Sequence, residues 1–161
     1  MNLKEKADAY AASRGLEITG ILGDGTQGNV WTVRGKNKLI SWALKLHARP
    51  QNYRVEKEVY LRLQDLGLVS LAGFDIPTLL RADDFHLALE LSIVSPPYVL
   101  DFAQATLDWP PDFPDEVWEE TRRRWRNLYG VEWPRVERLL GAIEAHGIHY
   151  LDVHPGNIAL L

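Results

Sequence analysis

Three short segments rich in β-branched and aromatic residues follow one another near the N-terminus, and only a few residues separate them. These segments are LEITGIL, NVWTVRG and KLISWALKLH. Parallel neighbours in a sheet need a crossover of a dozen or more residues, and these connections are too short to supply one. The composition of the segments suits strands. The sequence therefore predicts an antiparallel three-stranded meander at the start of the fold.

Two further strands and a helix are expected to complete this first unit. Gln51 to Leu66 repeats apolar residues at steps of three and four, which is typical of an amphipathic helix. The segments TLLRADD and FHLALELSIV predict the fourth and fifth strands. A leading helix over Leu3 to Ser13, ended by Gly15, precedes the meander. Residues 1–95 are thus expected to form a five-stranded antiparallel lobe with one helix packed on it after the leading helix.

The second half of the chain is predicted to be helical. The adjacent prolines of SPPYVL deny the backbone its ladder donors and favour a stiff connector between two lobes. Helices are then expected over DFAQATLD, PDEVWEETRRRWRNLYG and WPRVERLLGAIEAHG. Residues 96–161 would form a hinge and a partial helical lobe, so the predicted fold class is α+β.

Charge and composition exclude several kinds of partner. The formal net charge is -4, which gives no basic field for a nucleic-acid backbone, so we expect no nucleic-acid partner. The chain has no cysteine, which excludes disulfides and thiolate metal sites and favours a reducing compartment. No apolar run approaches the ~20 residues that span a bilayer. We therefore expect a cytoplasmic protein without a membrane partner.

A glycine-rich turn, GDGTQGNV, lies between the first two predicted strands. At Gly23, Gly25 and Gly28 the absence of a Cβ would let backbone N–H groups approach phosphate oxygens. A structural hairpin that merely uses glycine at its turn explains the pattern equally well. In a dinucleotide-binding βαβ unit the same spacing opens a helix, whereas NVWTVRG predicts a strand. This context favours a hairpin that covers phosphates.

The third predicted strand carries a lysine beside a small residue. Strand alternation puts Ala43 and Lys45 on the same face of the sheet, which leaves room for a flat base next to an ammonium. Glu56 lies on the apolar stripe of the following helix while Glu58 points elsewhere, so Glu56 is the expected partner of Lys45. The alternatives are a lysine that extends from an edge strand and carboxylates exposed on a charged helix.

The most specific motif is HYLDVHPGN, directly after the last predicted helix. Its Pro-Gly turn separates Asp152 from Asn157 and can direct the carboxylate towards a substrate hydroxyl and the amide oxygen towards a metal. We expect His149 and His154 to brace this loop through hydrogen bonds. The alternative is a zinc site with His149, Asp152 and His154 as ligands.

These motifs, in this order and with these elements between them, resemble the protein-kinase-like superfamily. The turn GDGTQGNV is similar to its glycine-rich loop, and Ala43-Leu44-Lys45 to its third-strand lysine motif. LDVHPGN is similar to the catalytic loop of the aminoglycoside-phosphotransferase-like and atypical bacterial Ser/Thr kinase branches. The resemblance extends from about Ile18 to Leu161.

The resemblance implies a kinase-like fold that binds ATP and Mg²⁺. It implies that Lys45 holds phosphates, that Asp152 is the catalytic base and that Asn157 is a magnesium ligand. The acceptor would be a hydroxyl of a protein or a small molecule, which the sequence does not identify. Nucleotide contacts are implied for the glycine-rich loop, the third strand, the following helix and the start of the hinge: Gly23, Gly25, Gly28, Val30, Ala43, Lys45, Glu56, Glu90, Leu91 and Ser92.

One feature of the resembled family is missing at the expected place. There a strand after the catalytic loop carries the aspartate of a DFG-type motif, the main metal ligand, and these residues end before such a strand. Asn157 alone would be a poor site for Mg²⁺, which prefers anionic oxygen ligands. We therefore expect either that the gene product continues past Leu161 or that the chain is a reduced relative.

Three functions are open on the sequence. An ATP-dependent phosphotransferase is favoured by the lysine, the glycine-rich turn and the Asp152–Asn157 pair. A pseudokinase-like module that binds nucleotide or a protein without catalysis is favoured by the missing metal aspartate. A protein-interaction unit would need an exposed aromatic surface, although such side chains pack in cores more often. The aromatic residues concerned are Trp109, Trp118, Trp125 and Trp133.

Overall fold

The computed structural model describes residues 1–24 and 28–161 and has an α+β fold. Its helices are α1 (Leu3–Arg14), α2 (Pro50–Asp65), α3 (Asp115–Tyr129) and α4 (Trp133–Glu144). Its strands are β1 (Leu16–Asp24), β2 (Gly28–Gly35), β3 (Ser41–His47), β4 (Ser70–Leu71), β5 (Phe74–Asp75), β6 (Leu79–Asp83), β7 (Ala88–Leu91), β8 (Tyr98–Val99), β9 (Thr106–Leu107), β10 (Ile148–His149) and β11 (Ile158–Ala159). None of the helices in the described ranges has the length and apolar character needed to cross a membrane.

The largest sheet has the strand order β1-β2-β3-β7-β6, and each neighbouring pair is antiparallel. The predicted five-stranded antiparallel sheet is therefore confirmed. Two of its strands are shorter than expected. β3 begins at Ser41 because Leu39 and Ile40 are exposed in the hairpin before it, and β7 ends at Leu91. Because apolar residues lie next to both strands, each predicted strand is longer than the segment that pairs.

Helix α1 begins at a capping box and ends at a left-handed glycine. The side chain of Asn2 accepts a hydrogen bond from the Glu5 N–H at 2.9 Å, and the Glu5 carboxylate accepts one from the Asn2 N–H at 2.8 Å. Gly15 has a φ of +66°, which costs glycine little. Tyr10 is buried in a cluster with Trp31, so α1 covers one face of the sheet.

Helix α2 packs on the other face of the sheet. Pro50 occupies its first turn, where the missing N–H removes no helical hydrogen bond. The buried side chains of α2 recur at steps of three and four, as predicted, and most of them join the main core with Ala43 and Leu89 of the sheet. Those buried side chains are Tyr53, Glu56, Val59, Tyr60 and Leu63.

The prediction of a helix over DFAQATLD is wrong. Asp101 has a φ of +64°, which a right-handed helix cannot accommodate, and Ala105 donates from its N–H to the carbonyl of Phe102 in a turn. The segment then continues into β9, which pairs with β10. Phe102 is fully buried in the main core. Tertiary burial and strand pairing therefore outweigh the helical propensity of this Ala-containing segment.

A smaller sheet joins two segments that are far apart in the chain. Its strand order is β11-β8-β5-β4, with β8 antiparallel to β11 and parallel to β5. Val99 pairs with Ile158, and the N–H of Leu100 donates to the carbonyl of Asn157 at 3.0 Å. The segment that leads to Asp101 therefore lies beside the end of the predicted catalytic loop.

Candidate functional site

A cavity of about 460 Å³ lies between the largest sheet, helix α2 and the loops around β8 and β11. Gly25 lies outside the described residues, and Glu90 is not among the residues that line the cavity. The other residues predicted for the site all line it. They are Gly23, Gly28, Val30, Ala43, Lys45, Glu56, Leu91, Ser92, Asp152 and Asn157.

Lys45 pairs with two carboxylates at the inner end of the cavity. Its Nζ is 2.7 Å from Glu56 Oε2 and 3.0 Å from Asp101 Oδ1. The Lys45 side chain is only 5% exposed, so its charge requires such partners. Burial by itself would lower the pKa of Lys45, but the charges of Glu56 and Asp101 outweigh burial and raise it above its usual value. The predicted pairing of Lys45 with Glu56 is present.

The Glu56 carboxylate is fully buried and accepts hydrogen bonds from several donors. Besides Lys45, it contacts His47 Nε2 at 2.5 Å through Oε2 and accepts from the Phe102 N–H at 3.1 Å through Oε1. Burial alone would raise the pKa of Glu56, yet the Lys45 charge and the His47 hydrogen bond lower it to about 2. Glu56 is therefore ionised and held from three directions.

Asp101 is a site residue that the sequence reasoning missed. It contacts Lys45 from the turn after β8, and 24% of its side chain is exposed. Because its segment was interpreted as a helix, Asp101 was not expected near the lysine. The three apolar residues YVL before the aspartate are too few to predict a buried strand, so the sequence gives little signal for it.

Asp152 and Asn157 meet at the outer end of the cavity. The Asn157 amide donates to the Asp152 carbonyl and to Asp152 Oδ2, each at 3.0 Å. Asn157 is buried, whereas the Asp152 side chain is 29% exposed. The amide thus fixes the orientation of a carboxylate that solvent can reach.

The two loop histidines do not form a metal site with Asp152. His154 Nδ1 accepts from the Gly156 N–H at 3.1 Å, so this histidine braces the loop as expected. His149 Nδ1 lies 3.7 Å from a Glu144 carboxylate oxygen. Among the described residues, no group of three or more histidines and carboxylates is arranged to hold a metal ion. The zinc alternative therefore lacks a ligand set in this part of the chain.

No protein-family model matches this chain, and no curated protein matches it. The chemistry of the cleft is therefore inferred from its own side chains. The cavity contains a buried ammonium, several carboxylates and an amide. These groups provide partners for phosphate oxygens and for a hard cation. An apolar wall that includes Ala43 and Val30 lies beside them.

The Glu90 side chain turns away from the cavity towards α1. Its carboxylate accepts from the Tyr10 hydroxyl at 2.6 Å and from the Trp42 indole N–H at 2.8 Å, with Arg14 nearby. Burial and the Glu90 charge raise the pKa of Tyr10 to about 12. Glu90 therefore fastens α1 to β7, while the neighbouring Leu91 lines the cavity.

Gly28 is required by strand packing. A Cβ on this residue would lie 2.4 Å from the carbonyl oxygen of Leu46 in β3, closer than any real contact. A Cβ on Gly23 would meet no atom within 4 Å. Gly23 and Gly28 therefore differ in their surroundings: Gly28 packs against β3, whereas Gly23 has open space where a Cβ would lie.

The tryptophans of the second half differ in their burial. Trp125 and Trp133 are buried in the main core, and Trp118 is half-buried and packs with Phe113. Trp109 is 79% exposed. Most of this set therefore serves packing and does not form one continuous contact surface.

Proposed function

We propose that this chain is a kinase-like phosphotransferase that binds ATP in the cleft and transfers its terminal phosphoryl group to a hydroxyl acceptor. The observation that carries the proposal is that Lys45, Asp101 and Asp152, far apart in the sequence, line one cavity. Phosphoryl transfer depends mainly on positioning and on compensation of charge. The cavity meets these requirements with the cation of Lys45, the carboxylate of Asp101 for the metal and the carboxylate of Asp152 for the acceptor proton.

Lys45 would bind phosphate oxygens. Its ammonium has three donors, and two of its present partners are Glu56 and Asp101. It can keep Glu56 and exchange the part-exposed Asp101 for a phosphate oxygen without leaving the cavity. The small side chain of Ala43, with Val30 beside it, provides apolar contact for the base of the nucleotide.

The cavity is lined by oxygen donors of the kind that Mg²⁺ prefers. This ion binds one or two carboxylates in proteins and completes its shell with water and phosphate oxygens. Asp101 supplies a part-exposed carboxylate, and Asn157 and Asp152 line the same cavity. Asp101 and Asn157 would hold the ion, which would offset the negative charge of the phosphates during transfer.

Asp101 supplies a carboxylate beside Lys45, at a different place in the chain from the metal aspartate of the resembled family. In the resembled family the metal aspartate follows a strand that comes after the catalytic loop. Here Leu100-Asp101-Phe102 follows β8. Strand β8 pairs antiparallel with β11, which begins directly after Asn157. The chain reaches Asp101 before Asp152, the reverse of the order in that family. In this proposal Asp101 takes the place of that metal aspartate, because it contacts Lys45 and lines the cavity.

Asp152 would accept the proton of the attacking hydroxyl. Its Oδ2 accepts from the Asn157 amide, and its Oδ1 lies 3.7 Å from His154 Nε2 at the open side of the loop. A carboxylate oriented in this way and reached by solvent can contact an acceptor hydroxyl. The hydroxyl oxygen would attack the terminal phosphorus, the bond to the bridging oxygen would break, and ADP would leave.

The decisive experiment follows the label of terminally labelled ATP, to free phosphate when water is the acceptor and to phosphorylated products when a panel of hydroxyl compounds is added. We expect turnover that requires Mg²⁺, and Asp152→Asn should lower the rate by about 10²–10⁴-fold. Asp112→Asn, at an exposed site away from the cleft, is the matched control and should retain the wild-type rate. A wild-type rate in Asp152→Asn would overturn the role of Asp152.

The same measurement separates transfer from binding alone. Asp101→Asn should weaken the dependence of ATP affinity on Mg²⁺ and remove turnover while the protein remains folded. Wild-type protein that binds ATP equally well without Mg²⁺ and never turns it over would instead support the pseudokinase-like module. Absence of any ATP binding would reject both nucleotide-dependent functions.

A further inference from the structure

His47 is a fully buried histidine in direct contact with the charged centre of the cleft. It lies two residues after Lys45 in β3, so strand alternation points both side chains towards α2. Its Nε2 is 2.5 Å from Glu56 Oε2, and its Nδ1 is 3.2 Å from the carbonyl oxygen of Leu87. The edge of its ring packs against Tyr53. The proposed phosphoryl transfer assigns no role to this side chain.

The Glu56 carboxylate determines the role of the His47 Nε2. An ionised carboxylate oxygen can only accept, and Glu56 Oε2 lies 2.5 Å from Nε2, so Nε2 is the donor in this contact. The other ring nitrogen, Nδ1, lies 3.2 Å from the carbonyl oxygen of Leu87. His47 therefore gives Glu56 a hydrogen bond that is separate from those of Lys45.

The hydrogen bond from His47 to Glu56 becomes important when Lys45 contacts a ligand. Glu56 is 0% exposed, so each donor that it loses leaves part of a buried charge without compensation. Lys45 shares its ammonium between Glu56 and Asp101, and a phosphate would compete for the same protons. The hydrogen bond from His47 does not depend on the ammonium, because the imidazole is anchored to Leu87.

We propose that His47 is a positioning residue that holds Glu56 in place while Lys45 directs its ammonium to the phosphates of a bound nucleotide. This inference rests on the proposed function for its ligand and names a residue that the function alone does not require. Without the Nε2 donor, Glu56 would draw Lys45 more tightly, and phosphate binding would weaken.

Two substitutions separate the roles of the two ring nitrogens. In His47→Gln the side-chain amide can reach the position of Nε2 and donate to Glu56, whereas in His47→Asn it can reach only the position of Nδ1. We expect His47→Asn to weaken the affinity for ATP with Mg²⁺ by about tenfold, the loss of one hydrogen bond to a charged group. His47→Gln should recover most of that loss. A role in packing alone would give the two variants the same affinity.

A matched control and a second measurement complete the test. His86→Asn changes a histidine that pairs with Asp83 away from the cavity, and it should bind ATP like the wild type. Nitrogen NMR of the labelled histidines in ligand-free wild-type protein should find a proton on the Nε2 of His47. Folded His47→Asn with wild-type affinity, or a bare Nε2 in the spectrum, would overturn the proposal.

The NMR measurement also distinguishes this inference from the proposed function. If wild-type protein binds no ATP but the Nε2 of His47 carries a proton, the proposed function fails and the hydrogen bond to Glu56 stands. In that case the role assigned to His47 in nucleotide binding is rejected together with the function. If ATP binds and Nε2 carries no proton, only the positioning role is lost.

Discussion

The two ends of the cleft are built differently. At the inner end Lys45 and Glu56 are almost completely buried and make several charge-assisted hydrogen bonds. At the outer end the Asp152 side chain is 29% exposed, and its orientation depends on Asn157. A buried charge must have partners, whereas an exposed carboxylate is solvated by water. The inner end thus contributes to folding, while the outer end is free to meet a substrate.

The largest expected difference between the ends concerns stability. Glu56→Ala removes the shared partner of Lys45 and His47 and should destabilise the fold by about 3–5 kcal/mol, since it leaves buried donors and a charge unpaired. Urea unfolding followed by circular dichroism measures this change. Glu58→Ala, on the exposed side of the same helix, is the control and should change stability by no more than about 0.5 kcal/mol. A Glu56→Ala protein as stable as its control would contradict the comparison.

The pH dependence of stability should come from the inner end. The pKa of Glu56 is lowered from 4.5 to about 2 in the folded protein, so the folded state binds its proton less readily than the unfolded state. Its contribution to stability is therefore fully present above about pH 4.5 and is lost as the pH falls towards about 2.

Urea unfolding between neutral pH and pH values near 3 tests this expectation. Glu56→Gln should show a weaker dependence on pH than the wild type over this window. Other acidic groups with lowered pKa values, such as Asp83 and Asp108, contribute equally to both proteins. Identical slopes in the wild type and in Glu56→Gln would show that Glu56 is not the group responsible.

The smallest effect is expected at the outer end. Asp152→Asn keeps an acceptor for the Asn157 amide and leaves no buried charge, so the free energy of unfolding should change by less than about 0.5 kcal/mol. Thermal unfolding and urea unfolding of the purified variant measure it. A loss of stability as large as that of Glu56→Ala would mean that both ends of the cleft are structural.

Local patterns predicted much of the inner end. The step of two residues in β3 placed Ala43 and Lys45 on one face, and the helical period of α2 selected Glu56 from among its neighbours. The same alternation placed His47 beside Lys45, although its importance appears only with the distance to Glu56. Short-range periodicity therefore contains most of the information for this part of the site.

The position of Asp101 was harder to predict because it depends on contacts between distant segments. Nothing local in DFAQATLD indicates that Asp101 adopts a positive φ or that Phe102 packs in the core. The pairing of β8 with β11 determines both, and two-residue strands leave almost no pattern in a sequence. The kinase-like fold and the bound nucleotide stay predictions, as do the boundaries of the two lobes.

The pairing of β8 with β11 also has a consequence for the order in which the molecule assembles. Its partners, Val99 and Ile158, are separated by two helices, so closing this loop costs more entropy than forming the hairpins of the large sheet. We expect the hairpins and α2 to form early and the β8–β11 contact to form late. A refolding chain would then form its Lys45–Glu56 pair before Asp101 and Asp152 come to line the same cavity, so the complete site would form only after the chain has become compact.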